Sequence, residues 1–391
     1  PAGCARCPAD EAGDRQFSVK LGQKEIPLGE EVTLRQGEYN GKYTLAVQLD
    51  GAELTSERFT IHRGGKRVLA IQLTEIPPPP PPGKPAVSGR FVFAAFDRKQ
   101  WDLYTYVPET DKLTNITNTR DRHERHPRFS PDGQWIAFQS NRDSFAGDYP
   151  RYDLYVTDGT QFRRLTNDIG WLGQGVAWSP DGKEILASVE QGAGDKPFPP
   201  WTNRYEIWRV SKDGEAREII PSLTETGVFN HSLDWHPNGG LVMARFKARA
   251  VFADIYVTRL DGAKRLTRLT NTEHSNTDSR WSADGKRIWF SSERAPAVEQ
   301  GHVHIHRIYV MNADGTGIIP HFHERAVDMD PVPIEGGKRV AFIRSPTTSP
   351  RLMVGLAEAF GAKLLYDLDS FEEVDGLDWT AGAAPSDAST N

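Results

Sequence analysis

The stretch Trp281-Ser282-Ala283-Asp284-Gly285-Lys286-Arg287-Ile288-Trp289-Phe290 decides the fold, because it is one copy of a pattern that recurs along the chain. Its turn returns as Phe129-Ser130-Pro131-Asp132-Gly133 and Trp178-Ser179-Pro180-Asp181-Gly182. A looser form is Trp235-His236-Pro237-Asn238-Gly239, a degenerate one is Pro333-Ile334-Glu335-Gly336-Gly337, and Asp378-Trp379-Thr380 is the first half of another. Counted at the serine position, the steps are 49, 57, 46, 52 and 46 residues. Proline fixes φ at the second turn position and glycine takes the left-handed fourth, so each copy joins two strands tightly. An alternating strand follows, such as Trp135-Ile136-Ala137-Phe138. A third strand opens as Asp102-Leu103-Tyr104, Asp153-Leu154-Tyr155, Glu206-Ile207-Trp208, Asp254-Ile255-Tyr256 or Arg307-Ile308-Tyr309. It ends at an Asp-Gly turn (158–159, 213–214, 261–262, 314–315), and a fourth strand carries Leu165-Thr166-Asn167 or Leu269-Thr270-Asn271.

Four short antiparallel strands per ~50 residues is the blade of a β-propeller, and a lone blade cannot bury both of its faces. Counting copies predicts six blades. Residues 89–118 supply three strands only, so the missing innermost strand is assigned to 375–380, which would close the ring between the two chain ends. These repeats resemble the PD40 (WD40-like) repeats of TolB-like β-propellers, over about 88–380 of the chain. The resemblance implies an extracytoplasmic protein, periplasmic, secreted or on the cell surface, that binds a protein or glycan at its funnel. TolB itself has an α/β N-terminal domain, whereas this chain begins differently.

The expected organisation is a flexible tail (1–14), a small β-sandwich-like module (15–75), a proline-rich linker (76–87), the propeller (88–380) and a disordered tail (381–391). In the module, 17–21, 43–49, 59–62 and 68–73 read as strands with period-two alternation. Its two glycine-containing turns and its strand pattern resemble the PEGA-type surface modules. Six prolines at 77–82 favour an extended polyproline spacer. The chain opens on Pro1, which reads as a processed product or a piece. The net charge of −6 offers no basic field for phosphates, so a nucleic-acid binder is excluded. No apolar run reaches the ~20 residues of a transmembrane helix. The 2 cysteines make no disulfide scaffold. Ala2-Gly3-Cys4 partly resembles a lipobox, which would anchor a lipid at Cys4; a local disulfide with Cys7 and a passive tail are the other readings.

Propeller ligands sit over the axial channel, on the face where the chain passes into each inner strand. The segments there hold Glu124, His126, Asn230, His231, Asn276, Asp278, Asp328, Asp330 and Asp375, which symmetry makes converge. They are read either as solvated channel liners or as a ligand-contacting ring. The long loops at about 140–152, 189–205 and 291–306 share that face, and Trp201 within Pro197-Phe198-Pro199-Pro200-Trp201 suits a recognition lip. Five histidines crowd one blade: His302, His304 and His306 alternate on one strand face, and His321 and His323 on the next. Imidazoles with carboxylates suit a transition metal such as zinc. Oligogalacturonate lyases are related propellers with a histidine-based metal site, so the resemblance keeps a metal-dependent polysaccharide enzyme as the alternative. Their site draws on several blades, whereas these histidines cluster on one. A sensor domain cut from a longer receptor or kinase is a third reading. No Gly-x-Ser-x-Gly elbow and no glycine-rich phosphate loop is present, and the main reading has no cofactor and no catalysis. The repeated Trp178, Trp235, Trp281 and Trp379 are assigned to core packing.

Overall fold

A computed structural model divides the chain into two units, 1–75 and 76–391. It describes 17–21, 24–26, 42–49 and 52–60 of the first unit, by backbone. Of the second it describes 84–382, apart from 144–151, 168–170, 192–203, 215–216, 248–251, 261–265, 295–304, 323–325, 346–348 and 359–360. The first unit holds one antiparallel sheet in the order Lys24–Ile26, Phe17–Leu21, Lys42–Leu49, Ala52–Thr60. The strand expected at 59–62 thus starts earlier, at Ala52, which pairs with Leu49 of the preceding strand. The strand expected at 68–73, the linker prolines and Cys4 lie outside the described residues.

The second unit is a six-bladed propeller. Blade 2 runs from its inner strand Glu124–Phe129 through Ile136–Ser140 and Asp153–Thr157 to Phe162–Arg164 at the rim. Blades 3 to 6 repeat this order, with inner strands Trp171–Trp178, Val228–Trp235, Asn276–Trp281 and Val327–Ile334. Blade 1 is built from both chain ends: inner strand Glu373–Thr380 pairs with Arg90–Phe96, followed by Trp101–Val107 and Lys112–Asn115. The closure expected for the C-terminal segment is therefore present, with Trp379 opposite Phe91.

The repeated sequence words have separate jobs. In the Ser-Pro-Asp-Gly turns the serine hydroxyl donates to the aspartate (Ser179 to Asp181, 2.7 Å) and the glycine N–H closes the turn onto the serine carbonyl (Gly182 to Ser179, 2.9 Å). Gly182 holds φ 69°, where a side chain is disfavoured. The Asp-Leu-Tyr and Leu-Thr-Asn words meet across the third and fourth strands. Thr166 donates to Asp153 (2.8 Å) while accepting the Leu154 N–H (2.9 Å), and Thr270 does the same with Asp254 and Ile255. The apolar core lies between blades, in six clusters for the six interfaces. Ala137, Leu154 and Val156 of blade 2 meet Val176, Trp178 and Ile185 of blade 3, and Phe91, Phe93 and Tyr106 of blade 1 meet Ile334, Ile343 and Leu352 of blade 6. Each blade thereby buries both faces, as the propeller requires.

Candidate functional site

Every inner strand slips register near its middle. The breaks fall between Arg125 and Arg128, Leu172 and Val176, His231 and Asp234, Thr277 and Arg280, Met329 and Val332, and Asp375 and Asp378. A β-bulge inserts one residue and re-aims the side chains around it. At five of the six breaks a residue sits in the left-handed region: His126 (φ 52°), Ser232 (53°), Asp278 (52°), Asp330 (52°) and Gly376 (67°). For the four that are not glycine this costs roughly 1–2 kcal/mol each, so the surrounding ring must hold them there.

The ring does so with polar pins between neighbouring strands. Ser232 accepts the Asp278 N–H (3.0 Å), and Asp330 accepts the Gly376 N–H (2.9 Å). Two residues further along each strand, Asp234 accepts the Trp281 N–H (2.7 Å) and Asp378 accepts the Phe129 N–H (2.8 Å). At that level two guanidinium groups reach across from opposite blades. Arg128 of blade 2 donates to the carbonyls of Gly376 (3.2 Å) and Leu377 (3.3 Å), and Arg280 of blade 5 donates to Leu377 (3.1 Å). Burial and the neighbouring Arg280 bring Arg128 down to about 10, which still leaves it charged.

Above this bridge, toward the face where the inner strands begin, side chains of mixed charge gather around the axis in a set called the cup below. Asp278, Asp330 and Asp375 enter it from blades 5, 6 and 1, and His126 and His231 from blades 2 and 4. Burial, with the charge of Asp278 next, lifts Asp330 to about 7. Burial drives His126 down to about 4 against the pull of Asp375, and His231 is lowered for the same reason. Both imidazoles are therefore neutral at physiological pH. Arg125 donates to Asp375 Oδ2 (2.9 Å from Nε) and lies over the Trp101 ring at 4.2 Å. Asp375 Oδ1 is left 3.7 Å from His126 Nδ1 without a hydrogen bond. On the far side, Phe229 and Phe246 stack with centroids 4.5 Å apart, and His231 stands edge-on to Phe246 at 5.6 Å.

Of the residues expected to converge, His126, His231, Asp278, Asp330 and Asp375 meet in this cup. Asn230, Asn276 and Asp328 do not. They lie ahead of the bulges, buried at 0–1% exposure, and are used inside the blades. Asn276 donates to the carbonyls of Ala253 and His274 and accepts from Ser292 (2.9 Å) and Arg294 (2.8 Å). Asp328 is gripped by Arg344 at 2.8 and 2.9 Å, and Asn230 donates to Leu223 (3.2 Å). Glu124 is held likewise by Thr119 and Ser140. These side chains tie the strands of their blades to one another or to the segments leading into them, because the ordinary pleat before the bulge turns them away from the axis. Arg128, Asp234, Arg280 and Asp378 were not anticipated, yet each directly precedes the aromatic residue of its turn (Phe129, Trp235, Trp281, Trp379). A charge at one fixed offset in four of six copies was the available signal.

Of the five clustered histidines, the described His306 and His321 have separate partners. His321 is 3% exposed, bonds the Leu356 carbonyl (2.9 Å) and packs edge-on against Trp289 at 4.7 Å, and burial lowers it to about 4. His306 instead faces Glu293 (3.2 Å). Among the described residues no group of three or more His, Cys, Asp or Glu is spaced to hold a metal ion. His302, His304, His323 and Trp201 lie outside those residues.

No family model matches the chain. It is 26% identical over 215 residues to the uncharacterized peptidase YuxL of Bacillus subtilis, covering 54% of this chain and 28% of that protein. A Streptomyces coelicolor protein named as a tricorn protease homolog is 29% identical over 220 residues, 50% of this chain and 16% of its own length. The chain thus spans less than a third of the curated relatives it matches. Among solved structures, TolB from Acinetobacter baumannii superposes with a TM-score of 0.57 at 16% identity, covering 93% of this chain and 82% of that one. A chain of the nidogen/laminin complex gives a TM-score of 0.55 at 13% identity, covering 76% and 100%. At such identities the likeness is one of fold, and the fold is the TolB-like six-bladed propeller.

Proposed function

We propose that this protein is an extracytoplasmic binding module whose partner docks on the upper face of the propeller, over the axial cup. The carrying observation is the cup itself. Five inner strands take a left-handed residue, strained in four of them, where His126, His231, Asp278, Asp330 and Asp375 gather, and Arg128 and Arg280 meet at the Leu377 carbonyl below them. Pins alone would not require unpaired polar atoms at that mouth, yet Asp375 Oδ1 and His231 Nε2 have no partner. The TolB-like fold agrees with binding at this face, and the solved TolB and nidogen/laminin chains share the architecture. No helix among the described residues is long and apolar enough to cross a membrane.

The test is site-specific photo-crosslinking in extract from the source organism. A benzophenone side chain at Thr277, beside the mouth, is expected to capture a discrete species. The same group at Asp284, on the lower-face turn, is expected to capture none. Equal labelling from both positions, or labelling from the lower face alone, would remove the upper face as the docking site.

A further inference from the structure

We propose that residues 84–89 are a strap that secures the ring where it closes, and that the strap and the closing strand Glu373–Thr380 detach as one unit. In blades 2 to 6 the four strands follow one another along the chain. In blade 1, Glu373–Thr380 and Arg90–Phe96 come from opposite ends of the propeller sequence and are joined by pairing instead. The residues that lead into Arg90 contact both sides of this junction. On the near side, Gly89 donates its N–H to Glu109 (2.8 Å), and Lys84 pairs with Asp111 and lies 5.5 Å from the Tyr106 ring. On the far side, Trp379 donates its indole N–H to the Ser88 carbonyl (3.0 Å), and Arg339 of blade 6 donates to the Ala86 carbonyl (2.6 Å). Lys84 also lies 5.4 Å from the Tyr366 ring of blade 6. Val87 joins the apolar cluster between those blades, with Phe91 and Tyr106 from one and Ile334 and Leu352 from the other.

The attachment is strongest at its inner end. The Lys84–Asp111 pair at the rim is 43% and 61% exposed, and such pairs contribute little. Val87 is 4% exposed, and burying its side chain contributes far more. Gly89 holds φ 95°, and a methyl there would stand 2.4 Å from the Thr380 carbonyl oxygen, so the strap crosses the end of the closing strand close to its backbone. Val374 and Leu377 of the closing strand belong to the same cluster as Val87. Peeling that strand away therefore breaks the Trp379–Ser88 bond and opens the cluster that buries Val87. The closing strand also carries Asp375 of the cup and the Leu377 carbonyl that Arg128 and Arg280 share. The strap thus acts on side chains at the axis through the strand between them. The chain N-terminal to Lys84 is covalently joined to the propeller through this strap, so a pull on that chain arrives here.

Native-state hydrogen exchange of the full chain, read by mass spectrometry on peptides covering 86–90 and 373–380, tests the coupling. Val87→Ala is expected to speed exchange in both peptides by the same factor, about tenfold or more, the scale of one truncated buried side chain. Arg339→Gln, which leaves the core intact, covers the case in which Val87→Ala misfolds; its smaller factor is again shared by the two peptides. Thr270→Val, in blade 4, is expected to leave both rates unchanged, because the strap and the closing strand open while the other blades stay folded. Faster exchange at 86–90 with 373–380 unmoved would show that the strap detaches alone, and would overturn the proposal. So would acceleration of 373–380 by Thr270→Val, which would mean that the strand opens together with the whole propeller, or unchanged rates in both strap variants.

Discussion

Gly336→Ala and Gly376→Ala form a matched pair, because both glycines hold φ 67°. Both substitutions incur the left-handed strain of an L-residue, roughly 1–2 kcal/mol, and gain the same small amount from a stiffer unfolded chain. They differ in what the new methyl meets. At Gly336, in the blade 6 turn, nothing lies within 4 Å. At Gly376, in the closing strand, the methyl would stand 2.8 Å from His126 Cα and 2.9 Å from Pro127 Cδ, both of which belong to blade 2. Neither can step aside, since His126 is itself strained at φ 52° and proline has a rigid ring. Overpacking of this kind adds about 1–3 kcal/mol. Gly336→Ala should therefore cost about 1 kcal/mol and Gly376→Ala about 3 kcal/mol. In thermal unfolding this separates the two variants by roughly 4–8 °C. Unfolding rates should rise for Gly376→Ala, because the perturbed strand is the one that seals the ring. Equal shifts in the two variants would refute the claim that blade 2 backbone sits against the closing strand at this point.

Asp330 at about 7 means that the folded protein keeps a proton which the unfolded carboxyl, at 3.8, has released. Stability from this group is full below 3.8 and falls as pH rises toward about 7, so Asp330→Asn should raise the melting temperature at pH 8 and leave it little changed at pH 4. His126 works in the other direction: lowered from 6.5 to about 4, its contribution is present above 6.5 and is lost as pH falls through that window, a slope that melting curves of Asp330→Asn between pH 4 and 6.5 should expose. Thr270→Val keeps the side-chain shape but strands the Ile255 N–H and one Asp254 oxygen, so chemical denaturation should register a loss of about 2–4 kcal/mol. Trp178→Phe removes a bond to the Arg128 carbonyl (3.0 Å) and should cost about 1 kcal/mol more than Trp281→Phe, whose indole N–H has no partner, as paired melting curves would measure.

Much of the propeller was legible because the requirements of a blade are local. A turn needs Ser-Pro-Asp-Gly within five residues, and the clasp between third and fourth strands needs Asp153 and Thr166 only 13 residues apart. Even the ring closure could be inferred, since residues 89–118 lacked an inner strand and Asp378-Trp379-Thr380 lacked a second one. The cup was only partly legible. His126 and Asp330 were found by their place before the turn. Asn276 and Asp328 share that description but are taken up by Ser292 and Arg344 of their own blades, because whether a side chain meets the axis depends on which side of the bulge it falls. Of the five clustered histidines, the described His306 and His321 flank successive strands and have different partners, Glu293 and the Leu356 carbonyl, because side-chain contacts across a blade are not set by spacing along the chain.

The amino-acid sequence by itself determined the blade, the number of blades and the way the chain ends join, because each follows from turn chemistry, strand period and the need to bury two faces. Only the tertiary structure decided which charges look at one another. Arg128 and Arg280 are 152 residues apart in the chain, yet they meet at the Leu377 carbonyl. Asp278, Asp330 and Asp375 become a crowded set with a lifted carboxyl only once three separate bulges turn them toward a common axis. Coulomb energy depends on separation and on the surrounding dielectric, and neither exists until the ring has closed.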